Sequence, residues 1–424
     1  MPITNSNNPK TGGQGQVLYT TNSHNLRVRI GYVGESFDVP VIAKIYPEDA
    51  PYYNEDTKEY QAYQAFSIRK LTEGECLRLM DVPEDMIVAL CQCKSLSRSA
   101  IHKLAGNSIV VACLRLIFNN IYNSPEDNDA QLTLFPEPPF RAAVPKTINL
   151  VTLCSGYDSQ LIALRQAVAE MKATVPDGSP SGVELLAWSE FDPDSKRPLD
   201  SQPAVVAHNV LFPEYSDRNV GDMTKVDWVA VKASWPQGTE VDILTYSTPC
   251  QSISNAGKRE GMKEGSGTRS SIVFYTKNAI EVLRPKFLLQ ENVRAIINDV
   301  NIEDFKEWQR QVRELGYTNY FTIMNAKDYG VPQNRERMFM VSVRNDLVSA
   351  DGYPLPPFIF PKPFTLDKCI ADVLDEEVDT HYFLQPDSVR KFLEKNEEDA
   401  KKKIIYLVTD HHLSLEELQK QWQQ

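Results

Sequence analysis

The sequence predicts an α/β protein with a doubly wound, parallel sheet and a smaller irregular region beside it. Three observations predict this. Short apolar runs alternate with helical patterns from Ile148 to Val343, the order that builds parallel strands with covering helices. Turn residues close two of these runs at their carboxyl ends, at Ser155-Gly156 and at Thr248-Pro249. The flanks lack the alternation: residues 1 to about 60 are polar and rich in Gly, Asn and Tyr, and beyond Asp346 comes a Pro-rich stretch, PLPPFIFPKPF, then a charged tail.

Strand-like runs such as LRVRIGYV mark the first region. A short helix is expected over Leu71–Leu79, because Thr72 as N-cap and Glu75 three residues later form a capping box. Ile109–Ile121 (IVVACLRLIFNNI) reads as a helix buried on most sides. Pro125, Pro136, Pro138, Pro139 and Pro145 lie among acids and Asn in a linker over 123–146. Ile148–Cys154 is then a strand and Gln160–Met171 a helix, with further strands at Val183–Trp188, Val241–Thr245, Phe287–Gln290 and Met338–Val343. The segments are therefore 1–65, 66–122, 123–146, 147–345 and 346–424.

The 424 residues are 42% hydrophobic and 24% charged, ordinary values for a globular chain. No run of 18 apolar residues occurs, so no membrane span is expected. The opening MPITNSNNPKTGG lacks the order of a leader peptide, so a cytoplasmic location is expected. The seven cysteines form no C-x-x-C pair, so no metal site is expected and the thiols are free. The net charge of −12 is awkward for a nucleic-acid binder. Its distribution is less so. Ser252–Asn345 holds 15 Lys plus Arg against 11 Asp plus Glu, and Lys94, Arg98 and Lys103 occur without an acid in Cys93–Asn107.

Five constellations carry chemistry. In VDILTYSTPCQ an apolar strand ends and presents Pro249, Cys250 and Gln251 on the following loop, the edge where open α/β sheets bind ligands. A cysteine is more often a small buried apolar residue, but this placement favours a thiolate nucleophile for an electron-poor ring carbon. In FLLQENV, Glu291 ends another strand. Alone it is a solvated strand end; at the same sheet edge as Cys250 it could bind and protonate a ring nitrogen. In QNRER, Arg335 and Arg337 are two apart and share one side of an extended chain. They are either a surface charge cluster or a grip on a carbonyl or phosphate. In VTLCSGYDSQ, Gly156 lets a ligand approach the first turn, Glu190 past the second strand could hold ribose hydroxyls, and Asp222 could hold an adenine amine. Last, NAGKREGMKEGSGTRSS, with Lys258, Arg259 and Arg269, is either a plain surface loop or a basic segment that meets phosphates.

Together these residues resemble the cytosine-5 DNA methyltransferases. TPCQ at Thr248–Gln251, ENV at Glu291–Val293 and QNRER at Gln333–Arg337 match that family in order and spacing, as do CSGYDS, the EFD at Glu190 and the GD at Gly221-Asp222. The resemblance implies a Rossmann-like S-adenosylmethionine methyltransferase sheet with a smaller target-recognition domain. It implies that Cys250 attacks cytosine C6, that Glu291 holds N3 and N4, and that Arg335 and Arg337 grip a flipped base. Cys154, Ser155, Gly156, Tyr157, Glu190, Phe191, Asp222, Met223 and Pro249 would line the S-adenosylmethionine site. Gln251, Lys258, Arg259 and Arg269 would face duplex DNA.

Two departures stand out. The first turn of the family usually reads Phe-x-Gly-x-Gly, whereas here Cys154 and Asp158 replace the Phe and the second Gly. That implies weaker, not absent, cofactor binding. The order of segments also differs. RKLTEGECLRLMDVPED, beginning at Arg69, resembles the segment that organises recognition and implies a DNA-facing Arg69. KLAGNSIVVACLRLI resembles the family's last helix and places Asn107 and Ser108 near the cofactor. Both usually follow the catalytic motifs, so the chain resembles a circular permutant, with 1–65 and 346–424 as two parts of the recognition region. A cognate restriction endonuclease or a second recognition subunit is a possible partner. A tRNA cytosine-5 methyltransferase and a partner-dependent DNA-binding module remain as alternatives.

Overall fold

The structure, a computed structural model, describes residues 41–45, 52–54, 59–61, 63–66, 69–122, 144–174, 180–250, 252–253, 263–349, 352–384 and 406–409. In chain order the first strands are β1 (Val41–Ile45), β2 (Tyr52–Asn54), β3 (Glu59–Gln61) and β4 (Tyr63–Phe66). Helices α1 (Glu73–Arg78), α2 (Glu84–Gln92), α3 (Arg98–Asn107) and α4 (Val111–Tyr122) follow. Then come β5 (Thr147–Leu153), α5 (Ser159–Thr174), β6 (Gly182–Ser189), α6 (Pro203–Leu211), α7 (Trp228–Ala233) and β7 (Ile243–Tyr246). The series closes with α8 (Thr276–Leu283), β8 (Phe287–Val293), α9 (Ile302–Glu314), β9 (Tyr317–Asn325), β10 (Glu336–Arg344) and β11 (Tyr406–Thr409).

The chain divides into two compact units, one gathering 14–76 with 370–424 and the other running over 77–369. In the larger unit six strands form one sheet in the order β6-β5-β7-β8-β10-β9. β5 pairs in parallel with β6 and β7, and β7 with β8. β10 runs antiparallel to both β8 and β9. The sheet is therefore mixed rather than wholly parallel as the sequence predicts. β9 and β10 follow each other closely, and so short a connection can only reverse the chain. The chain winds from β5 out to β6 and returns to β7 on the other side of β5. That reversal opens a crevice at the carboxyl ends of β5 and β7, the place where such sheets bind ligands.

Both faces of the sheet are covered. Alternation along β5 sends Val151 and Leu153 into one cluster with Leu244, Tyr246, Leu288, Met338 and Met340, closed by Ile280 of α8 and by Phe305 and Trp308 of α9. On the other face α4 packs against α5, and Tyr122 meets the Phe287 ring edge-on at 6.0 Å. The apolar stretch Arg98–Tyr122 is long enough to cross a membrane by length and composition, but it is 67% buried in the fold and is interrupted between α3 and α4. It behaves as core. The Pro-rich stretch, expected with the recognition region, packs on the larger unit instead. Asn120 Nδ2 donates to the Ile359 carbonyl at 3.0 Å, Tyr329 donates to Pro361 O, and Phe364 N donates to Asp328 O.

In the smaller unit β1 lies between β11 and β4, antiparallel to each. β1 belongs to the segment before the sheet domain and β11 to the segment after it. The predicted capping box forms: Thr72 N donates to Glu75 Oε2 at 2.8 Å and Glu75 N to Thr72 Oγ1 at 3.1 Å. The buried Glu75 carboxylate also receives Asp375 N at 2.8 Å, while Thr72 Oγ1 donates to Asp375 Oδ2 at 2.6 Å. Residues 66–76, expected with the catalytic segment, thus fall with the smaller unit. Most of 1–65, the linker 123–143 and the region after 384 lie outside the described residues apart from the short strands.

Candidate active site at the sheet edge

The edge brings three of the sequence motifs together. β7 ends at Tyr246, and the backbone turns through Thr248, Pro249 and Cys250. This turn is pinned from two sides. Asn292 Nδ2 donates to Thr248 O at 3.2 Å, and Ser270 Oγ donates to Pro249 O at 2.9 Å. Sequence reasoning gave neither residue a role. The Asn292 bond was foreshadowed by its place beside Glu291, whereas Ser270 had no local signal.

Glu291 sits near the end of β8, opposite Phe339 of β10, and Val293 is opposite Arg337. That register puts the Arg337 Nε 3.1 Å from Glu291 Oε1. Burial raises the Glu291 carboxyl above its ordinary range, and the two arginines, Arg337 and then Arg335, oppose the rise. Burial also raises the Cys250 thiol, the Glu291 charge adds to the rise, and Arg337 and Arg335 oppose it. Cys250, Glu291, Arg335 and Arg337 thus form one electrostatic set. A proton on Glu291 removes the negative charge that disfavours the thiolate, so protonation of the acid and ionisation of the thiol assist each other.

Arg335 is held from the preceding part of the chain. It donates to Gly106 O at 2.9 Å and to Ser108 O at 2.7 Å. Its Nε, buried, has no hydrogen-bond partner among the described residues. Ser108 Oγ accepts from Tyr157 OH at 2.7 Å. The turn after α3 therefore joins the arginine to the first turn of the sheet. Asn107 beside it is exposed.

That first turn fits a nucleoside ligand. Gly156, at φ +61°, would meet nothing within 4 Å if it carried a Cβ, so the space over its backbone is open. The Ser155 hydroxyl is buried without a hydrogen-bond partner among the described residues. Glu190 receives Gly156 N at 2.7 Å on Oε2, and burial raises its carboxyl. Phe191 is 37% exposed and offers a ring face near the Lys225 ammonium, 6.0 Å from its centroid. Asp222 is held by Thr224 and Lys225, which keep its carboxyl below the usual range despite burial. Cys154, where an aromatic ring is usual, lies 3.5 Å from Met223 Sδ, and burial pushes its thiol far up, so it packs rather than reacts.

Two of the arginines expected to face DNA meet carboxylates. Arg69 turns both terminal nitrogens onto the Glu75 carboxylate at 2.7 and 2.6 Å and has a side chain only 13% exposed. It is an internal partner of Glu75 in this fold. Arg269 pairs with Asp194 and lies 3.6 Å from Asp192 Oδ1, in the loop after Glu190. Gln251, Lys258 and Arg259 lie outside the described residues.

Known proteins resemble parts of this chain. M2.ScrFI, a type II methyltransferase of Lactococcus lactis subsp. cremoris, is 36% identical over 173 residues, covering 41% of this chain and 44% of that protein. M.SssI, an orphan methyltransferase of Spiroplasma monobiae, is 33% identical over 202 residues, covering 46% and 49%. The chain thus spans about half the length of the curated relatives it matches. The profile of the C-5 cytosine-specific DNA methylases matches residues 203–424, more than half of the chain. On that match, with the site motifs in place, the chain belongs to the C-5 cytosine-specific DNA methylase family.

Proposed function

We propose that this protein methylates carbon 5 of cytosine in duplex DNA, using S-adenosylmethionine and a transient bond from Cys250 to the base. The observation that carries the reading is the Cys250, Glu291, Arg335 and Arg337 set at the carboxyl edge of the sheet, beside an open turn at Gly156. A base must leave the helix stack to reach such a crevice. In this reading Arg335 and Arg337 hold it, and Glu291, whose carboxyl burial raises above its ordinary range, delivers a proton to N3. The Cys250 thiolate then adds to C6, and the electron pair of the C5–C6 double bond moves to C5. S-adenosylmethionine, when bound, supplies an electrophilic methyl group for a nucleophilic carbon. Loss of the C5 proton to water, departure of Cys250 and return of the N3 proton to Glu291 restore the ring, the thiolate and the acid. Ser155, Gly156, Glu190, Phe191 and Asp222 hold the cofactor in this scheme, with Tyr157, Met223, Cys154 and Pro249 forming the walls and Ser108 bracing Tyr157.

The same reading includes circular permutation. The turn at 106–108 precedes β5 in the chain yet meets Arg335 and Tyr157, a position that a family's last helix would also reach. The smaller unit, built from segments on both sides of the sheet domain, is then the reader of DNA; the grouping of 14–76 with 370–424 in one compact unit supports this. A cytoplasmic location fits DNA as substrate, and a restriction endonuclease or a second recognition subunit would be a natural partner.

The test is methyl transfer from labelled S-adenosylmethionine to unmethylated duplex DNA and to tRNA, side by side. 5-Methylcytosine in the DNA is the expected product, and bisulfite sequencing gives the target site. Label in tRNA alone would overturn the substrate. Transfer that appears only after a second polypeptide is added would place recognition in a partner.

A further inference from the structure

We propose that Asp158 is a positioning residue for the cofactor turn, bracing the Ser155–Tyr157 loop through its own side chain in a backbone conformation that favours glycine. The inference rests on reading that turn as the S-adenosylmethionine site. Asp158 has φ +68° and is fully buried. Among side chains, Asp and Asn tolerate this region because their short polar groups bond locally. Asp158 does so on both sides. Its Oδ1 accepts from Leu161 N at 3.0 Å, in the first turn of α5. Its Oδ2 accepts from Thr152 Oγ1 at 2.9 Å, in β5. Its own N–H donates to Ser155 O at 2.8 Å, closing the loop, and its carbonyl accepts from Ile162 N at 3.2 Å.

The carboxylate therefore ties the end of the strand to the start of the helix beneath Ser155, Gly156 and Tyr157. A third neighbour lies close to it. His208 of α6 places Nε2 3.5 Å from Asp158 Oδ2, with its ring stacked on Trp188 at 3.6 Å and both residues at zero side-chain exposure. Glycine at 158 would adopt the backbone and keep its main-chain bonds but make neither of the carboxylate's bonds. The loop would then have to be ordered by the ligand, and the apparent affinity would fall with the fraction already in the competent form. Alanine would lose the bonds and strain the backbone as well. Asparagine keeps the conformation and the acceptor for Leu161 N.

The experiment compares Asp158→Asn, Asp158→Gly and Asp158→Ala with the wild type by calorimetric titration of S-adenosylmethionine, with thermal unfolding and steady-state transfer alongside. Helix caps bound the effect at about 3- to 30-fold. The expected result is a raised Kd and KM for S-adenosylmethionine in the Gly and Ala variants, with kcat at saturating cofactor within about 2-fold of wild type. The Asn variant should restore most of the affinity. Equal cofactor affinity in Gly, Ala and wild type would overturn the positioning role while leaving the cofactor reading intact. An Asn variant as weak as Ala, or a fall in kcat with Kd unchanged, would overturn it too. Failure of the wild type to bind S-adenosylmethionine would overturn both readings. Should Ala not fold, the Gly and Asn pair decides the matter, since both accept the backbone conformation.

Discussion

Arg335 reaches back 227 residues along the chain to donate to the Ser108 carbonyl at 2.7 Å. Burial, and then the neighbouring Arg337, make its charge costly, and the two carbonyls at 106 and 108 help to offset that cost. Arg335→Ala should lower the melting temperature, because it removes the donor to two carbonyls, and such a bond contributes about 0.5–1.5 kcal/mol. It should also abolish transfer. Arg335→Lys should recover part of the stability and little activity, since a point charge cannot bond two carbonyls and a base with one geometry. Calorimetry and a transfer assay on the same preparations check this. A fully stable, fully active Ala variant would remove Arg335 from the site.

Cys250→Ala should end methyl transfer and leave S-adenosylmethionine binding within a few-fold of wild type, since the thiol acts only on the base. DNA carrying 5-fluorocytosine should trap the wild-type protein, because fluorine at C5 cannot leave as a proton does. A denaturing gel reads the adduct. No adduct in the presence of cofactor would rule out the covalent route.

Glu291→Gln should cut the rate by about 100- to 10,000-fold, the range of general acid assistance, with duplex affinity nearly unchanged. It also has a signed effect on Cys250. The Glu291 carboxylate raises the Cys250 thiol. An amide carries no charge, so the thiol should ionise at lower pH in this variant. Arg337→Ala should do the reverse, because Arg337 favours the thiolate. Alkylation of Cys250 by iodoacetamide as a function of pH, read by peptide mass spectrometry to separate it from the exposed Cys91 and Cys369, should show the midpoints moving in opposite directions. Shifts in the same direction would break the electrostatic set.

Deleting residues 1–60 should abolish site-specific DNA binding and spare S-adenosylmethionine binding. The deletion removes β1, on which both β4 and β11 depend for pairing. Glu75→Ala is a milder probe. It strands Arg69 and the Asp375 amide, and breaking a buried pair costs about 3–5 kcal/mol. Limited proteolysis should then cut in 370–384 earlier than in wild type, with cofactor affinity unchanged. A deletion variant that methylates the same sites as the full chain would refute the split reader.

The sequence by itself determined the strands that carry the site and the residues at their ends. Each is written locally: an apolar run, then Pro-Cys-Gln, Glu-Asn-Val or Ser-Gly at its close. The capping box of Thr72 and Glu75 was legible for the same reason, since both partners lie within one helical turn. β9 was not, because YTNYFTIMN is an edge strand with few buried positions and shows no clean alternation. Tertiary structure alone decided the rest. The reversal of β10 follows from a short connection whose partners are chosen by the whole sheet. Arg69 and Arg269 found carboxylates, and Ser108 met Tyr157 across 49 residues. Such pairings depend on which elements the fold brings together, and a charged side chain that is being buried takes the nearest opposite charge whatever its place in the sequence suggests.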